Sequence, residues 1–150
     1  MQLSTKGRYA VMAMADLAAH DADHAVSLAE IAERQQLSLA YLEQLFARLR
    51  RQGLVRSTRG PGGGYRLARP ADQTSVADVV IAVDEPLRAT RCAGHPADGG
   101  EGGGCMKAGA RCLTHDLWEE TGRQIQGYLA SVSLADVLHG RLRRPPAEAA

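Results

Sequence analysis

All three cysteines of this chain fall in one stretch that closes on a histidine. They are Cys92, Cys105, Cys112 and His115, spaced Cys-x12-Cys-x6-Cys-x2-His. Thiolate sulfur and neutral imidazole nitrogen are the ligands that zinc and iron–sulfur centres take, and four of them make a complete set. The interval from Leu87 to Leu113 contains seven glycines, so its backbone can wrap an inorganic core and aim amides at the sulfurs. Arg88, Arg91, Lys107 and Arg111 lie nearby in sequence and favour the thiolate, the form that ligates. Tight Cys-x-x-Cys pairs, frequent in structural zinc sites, are absent. Ligand types alone leave zinc and iron–sulfur both open, and His95 is a competing donor inside the loop.

A second chemistry lies upstream. Residues 48–69 hold seven arginines and no acid, a cationic strip on a chain whose net charge is only +1. Residues 1–70 carry ten Lys/Arg against six Asp/Glu, whereas 71–150 carry eight against eleven. Such a division suits a polyanion met by one face, and arginine favours forked contacts to phosphate or guanine.

The elements that must present these arginines are legible from periodicity. Ser38–Gln52, drawn as a helix, puts Leu39, Leu42, Leu45, Phe46 and Leu49 on one side. The other side carries Ala40, Gln44, Ala47 and Arg51, flanked by Tyr41 and Arg48. A face of small, amide, phenol and guanidinium groups fits the DNA major groove. Before it, Ser27-Leu28-Ala29-Glu30 has capping-box spacing and opens a short helix ending near Gln35. Gln36-Leu37 is a turn and Ser38 the next N-cap, so the pair has helix-turn-helix form. Gly53 stops the second helix. Residues 54–59 and 65–69 are expected strands around Gly60-Pro61-Gly62-Gly63-Gly64, a hairpin tip open to close approach by a nucleic-acid backbone. With Arg59 at its base, this hairpin is expected to be a DNA-contacting wing.

Further helices are expected at Thr5 to about His20, with Tyr9, Met12, Ala13 and Leu17 inward, and after Ser75, with Val76, Val79, Val80 and Val83 buried. A long helix from Thr114 to about Val132 carries a stripe of Leu117, Trp118, Thr121, Ile125, Tyr128, Leu129 and Val132. That stripe is longer than a small winged module can cover and is expected to pair with a second copy. Gly122 and Gly127 on this helix suit close approach by another helix. Ser133 caps a last short helix, and 141–150 is expected to be a disordered tail.

At 150 residues, 45% hydrophobic and 23% charged, the chain has the size and composition of one globular domain. No stretch approaches the roughly 20 apolar residues of a membrane span. The start, MQLSTKGRYA, lacks a secretory pattern, so a cytoplasmic location, with reduced thiols, is expected. No nucleophile–base set, phosphate loop or paired carboxylates point to an enzyme. A small iron–sulfur carrier is the rival from another class, distinguished by its lack of salt-dependent DNA binding.

Several runs carry a resemblance: LSTKGRYAVMAM at 3–14, YLEQLFARLR at 41–50, RGPGGGY at 59–65, ATRC at 89–92 and RCLTHDLW at 111–118. The chain resembles the iron–sulfur cluster regulators of the winged helix-turn-helix transcription regulator family. The loop between Cys92 and Cys105 is longer and richer in glycine than that family's usual one, and Ala40 stands where relatives tend to have Ser. The resemblance implies a mostly α fold with a small β-hairpin wing and a long dimerisation helix. It implies a homodimer that regulates cluster-assembly genes according to cluster occupancy. It further implies a [2Fe–2S] cluster held by Cys92, Cys105, Cys112 and His115 and supplied by the iron–sulfur assembly machinery. DNA reading falls to Tyr41, Gln44 and Arg59, with Glu43 discriminating between site classes; Ser38, Ala40, Arg48, Arg51, Gly60, Gly62 and Gly63 complete the expected double-stranded DNA surface. A relative of this kind that senses nitric oxide or redox state is the nearest alternative. The expected organisation is a DNA-binding domain at 1–70, a linker helix at 71–86, a cluster loop at 87–113 and the dimerisation and terminal helices at 114–140.

Overall fold

The structure, a computed structural model, describes residues 5–84 and 111–142. Helix α1 spans Thr5–His20 and buries Ala10, Ala13, Met14 and Leu17 at helical spacing. Met12, expected inward, is 38% exposed, and Met14 takes its place in the core. In the run Val-Met-Ala-Met-Ala, small and apolar all round, periodicity marks a helix without fixing the centre of its buried face.

Helix α2, Leu28–Gln35, starts at the expected capping box: the Ser27 amide donates to the Glu30 carboxylate at 2.7 Å and the Glu30 amide to Ser27 Oγ at 3.3 Å. Hydrogen bonds from the Ser27 hydroxyl and amide hold the Glu30 carboxyl below its usual range. The helix closes on Gln36 in the left-handed region (φ 55°). Ser38 then caps α3, Leu39–Arg51, by accepting from the Tyr41 amide at 3.4 Å. Leu42, Leu45, Phe46 and Leu49 are buried as expected, while Leu39, in the first turn, is 44% exposed.

Gly53 at φ 72° lets the Leu54 amide reach back to the Leu49 carbonyl at 3.0 Å, and the chain leaves α3 directly into a hairpin. Strand β1 is Val55–Thr58 and β2 is Gly64–Leu67, paired antiparallel from Val55↔Leu67 to Thr58↔Gly64. Gly64, expected in the loop, is thus the first residue of β2. A third segment joins it: Val26 and Tyr65 exchange backbone hydrogen bonds at 2.9 and 2.7 Å. Only a residue without Cβ fits there, because a Cβ on Gly64 would meet the Val26 carbonyl oxygen at 2.4 Å. The Phe46 and Tyr65 rings, edge to face at 5.0 Å between centroids, fasten the hairpin to α3.

A 3₁₀ turn at Ala71–Gln73 leads into α4, Val76–Ala82; α5 spans His115–Ser131 and α6 spans Leu134–Leu138. The starts of α4 and α6 are stitched together, with the Val76 amide donating to the Val132 carbonyl at 2.8 Å and the Leu134 amide to the Thr74 carbonyl at 2.9 Å. Both helices carry capping boxes, at Ser75/Asp78 and Ser133/Asp136. Val79, Ala82 and Val83 beside α4's C-terminal half, and Leu134 of α6, lie in one buried cluster with α1, α2, α3 and the wing. The helix expected as a linker thus contributes Val79 and Ala82 to that cluster. Val76, Val80 and Val132 form a smaller cluster against Val11 and Leu129. Of the expected cluster loop, only Arg111, Cys112 and Leu113 fall within the described residues; the expected tail lies outside them from residue 143 on.

Candidate functional site

Burying Leu42, Leu45, Phe46 and Leu49 turns the opposite side of α3 outward. Ser38, Ala40, Glu43, Gln44, Ala47, Arg50 and Arg51 are all exposed. Among the described residues, Glu43, Gln44, Arg51 and Arg59 meet no hydrogen-bond or ion-pair partner. Tyr41 is half-buried, its ring edge-on to Tyr9 at 6.1 Å, which holds the phenol at the margin of this surface. The wing tip turns at Gly60–Gly63, where the Gly63 amide donates to the Gly60 carbonyl at 2.9 Å. Gly60 and Gly62 take φ of 97° and 72°, and a Cβ on Gly63 would lie 2.5 Å from the Thr58 carbonyl oxygen. Glycine is required at this tip by conformation and by space. Arg59 and Gly60 are exposed at its base.

The structure does not aim every arginine of the strip outward. Arg48 donates to Asp84 Oδ2 at 2.5 Å and to the Val83 carbonyl at 3.3 Å, which ties α3 to the end of α4 in a pair that stays open to solvent. Arg66 donates to the Asp21 carbonyl at 2.7 Å, and Arg69 pairs with Asp78 at 3.5 Å. Spacing along a sequence reveals a cationic strip, but acceptors from distant elements decide which of its members are left for a partner.

The four ligands expected from sequence divide by location. Cys92 and Cys105 lie outside the described residues; Cys112 and His115 stand together where α5 begins. The His115 amide donates to the Cys112 carbonyl at 3.1 Å, Cys112 Sγ lies 3.7 Å from Thr114 Oγ1, and His115 is 8% exposed. A half-buried thiol three residues from a shielded imidazole fits a soft metal or cluster centre. The helix N-terminus favours the negative charge such a centre brings. Two carboxylates not singled out from sequence stand beside it: Glu119 Oε2 is 3.7 Å from His115 Nε2, and ligand atoms of His115, Asp116 and Glu119 lie within 4.8 Å of one another. The signal for Glu119 was its place one helical turn beyond His115. Along α5, Leu117, Trp118 and Tyr128 are exposed, as is Leu113 just before it. Gly122 is buried, whereas Gly127 is exposed with nothing within 4 Å of a Cβ placed on it.

A capped helix-turn-helix with a free polar face, followed by a glycine-tipped hairpin, defines a winged helix-turn-helix DNA-binding protein. Residues 3–140 match the family model of Rrf2, the iron-dependent transcriptional regulators, and the chain belongs to that family of transcription regulators. It is 51% identical over 141 residues to the HTH-type transcriptional regulator IscR of Photorhabdus laumondii subsp. laumondii, covering 94% of this chain and 81% of that one. Among solved structures it is similar to IscR of T. potens, at TM-score 0.73 and 41% identity over 100% of this chain and 93% of the other. It is also similar to CymR, the global cysteine regulator of B. subtilis, at TM-score 0.73 and 30% identity over 93% and 98%. No helix among the described residues is long and apolar enough to cross a membrane.

Proposed function

We propose that this protein is a cytoplasmic, homodimeric transcription regulator that senses iron–sulfur cluster supply and adjusts cluster-assembly genes accordingly. The observation that carries this is the shielded His115 at the start of α5, its amide bonded to the Cys112 carbonyl, in a chain whose α3 face and wing leave the Gln44, Glu43, Arg51 and Arg59 side chains unpartnered among the described residues. The relatives named IscR, at about half identity, support the same reading.

Cys92, Cys105, Cys112 and His115 hold a [2Fe–2S] cluster received from the iron–sulfur assembly machinery. When bound, the cluster supplies an occupancy signal. Of the proposed donors, His115 opens α5 and Cys112 is joined to it by the His115 amide hydrogen bond, while the other end of α5 leads through Val132 into the backbone stitch to α4. Through that connection, ligation beside the start of α5 would bias the core packed on α4, by no more than the cluster's differential affinity for the two conformations. Gln44, Glu43 and Tyr41 address base edges with Ala40 allowing close approach, while Ser38, Arg51, Arg59 and the glycine amides of the wing meet phosphate and groove. Leu117, Trp118 and Tyr128 pair with a second copy, which also places two reading heads on one duplex.

Anaerobic purification followed by absorption spectroscopy, iron and sulfide counts and parallel DNA selection with loaded and cluster-free protein tests this. Two iron and two sulfide per chain, with different preferred sites for the two forms, is the expected result. Iron-free protein that selects the same sites as a variant lacking all four ligands would refute it.

A further inference from the structure

One buried charge is used by neither the DNA-facing surface nor the cluster ligands. Asp16, on α1, has a side chain only 2% exposed. Its carboxylate is saturated: Arg34 donates through Nη2 at 2.7 Å and through Nε at 3.2 and 3.1 Å, and Gln35 donates through Nε2 at 2.7 Å. His20, one turn along α1, places Nδ1 3.7 Å from the same carboxylate. Burial by itself pushes the Asp16 carboxyl up, yet the bonds from Arg34 and Gln35 and the charge of Arg34 outweigh it and hold the group below its usual range.

The partners' position matters more than their number. Helix α2 has eight residues and fully buries only Ile31, with Leu28 and Ala32 half-buried. So little apolar surface leaves a short helix free to roll or slide, because non-directional contacts do not fix an angle. Arg34 and Gln35 are the last side chains before Gln36, whose left-handed backbone turns the chain toward Ser38 and α3. A directional grip there fixes the point from which the reading helix departs. We infer that Asp16 is the positioning residue of the reading head: through Arg34 and Gln35 it sets the angle at which α3 offers Ala40, Glu43 and Gln44 to base edges. The inference rests on the proposed DNA-reading role of α3. It places the effect on sequence discrimination. Base contacts are short and directional, whereas the attraction of Arg51 and Arg59 to phosphate tolerates a small change of angle.

The test compares wild type with Asp16→Asn, and with Gln35→Ala, which leaves the Asp16–Arg34 pair in place and serves where Asp16→Asn fails to fold. Two probes are used: a duplex selected from a random library by the wild-type protein, and a scrambled duplex of the same composition. The folded fraction is checked by circular dichroism. Affinity for the selected duplex should fall at least about tenfold, a misread-base scale of loss, while affinity for the scrambled duplex stays within about twofold. The salt dependence should be unchanged, since no phosphate contact is removed. A purely structural role would lower both affinities in step with the folded fraction, and an unchanged selected-to-scrambled ratio overturns the inference. A wild-type protein without any sequence preference would overturn the DNA-reading proposal and this inference with it.

Discussion

Gly64→Ala separates a hairpin that merely follows the reading helix from one fastened to the core. The added Cβ would meet the Val26 carbonyl oxygen at 2.4 Å, its carbonyl carbon at 2.5 Å and the Ser27 nitrogen at 2.8 Å, all backbone atoms of a buried segment. Relief requires β2 to part from Val26, which breaks the two Val26–Tyr65 hydrogen bonds at 2.9 and 2.7 Å. Two such bonds contribute about 1–3 kcal/mol. Loosening the Phe46–Tyr65 ring contact adds about 1 kcal/mol. The expected destabilisation is therefore roughly 2–4 kcal/mol. It should appear as a lower urea midpoint at unchanged slope, at fixed protein concentration because the stability of the proposed dimer would depend on it. Hydrogen exchange should show faster exchange at the Tyr65 and Val26 amides. Gly63→Ala is the control: its Cβ collides with Thr58 and Gly60 inside the hairpin, so the tip turn is lost while the Val26 bridge stays protected. A Gly64→Ala protein with wild-type midpoint and a protected Tyr65 amide would refute the reasoning.

Other outcomes follow from the same geometry. Gly127→Ala, at an exposed helical position with open space around the added methyl, should stabilise the protein by about 0.5–1 kcal/mol in urea unfolding. Trp118→Asp, on the exposed face of α5, should shift sedimentation toward monomer while leaving the circular dichroism of the folded chain unchanged. With the proposed ligand set, His115→Cys should slow cluster loss in air, followed by visible absorbance, because a thiolate is a charged and firmer ligand than imidazole. The Asp16 carboxyl is depressed in the folded state. Its contribution is therefore present above the unfolded value of about 3.9 and lost as pH falls below it. The stability gap between wild type and Asp16→Asn should be full at neutral pH and narrow in acid below about pH 4.

Sequence by itself determined every helix start that is written in local chemistry. Ser27, Ser38, Ser75 and Ser133 each cap the helix expected of them, because a side-chain acceptor two or three residues from free amides needs nothing from the rest of the fold. The buried face of α3 was largely legible: of the five apolar residues read onto it, Leu42, Leu45, Phe46 and Leu49 are buried and Leu39, in the first turn, is exposed. Cys112 and His115 were singled out by residue type and spacing; the structure places His115 at the start of α5 and Cys112 just before the turn that leads into it.

Tertiary structure alone decided three things. It chose Met14 over Met12 for the core of α1, where a run of small apolar residues carried no preference. It gave Arg48 the Asp84 carboxylate and the Val83 carbonyl, just past the end of α4, as partners, and buried Val79 and Ala82 of α4 in the same cluster as α1 and α3. It also buried Asp16 between Arg34 and Gln35, 18 and 19 residues away. Partners so distant leave no trace in local periodicity: whether a charge faces solvent, DNA or another side chain depends on which elements the fold brings beside it.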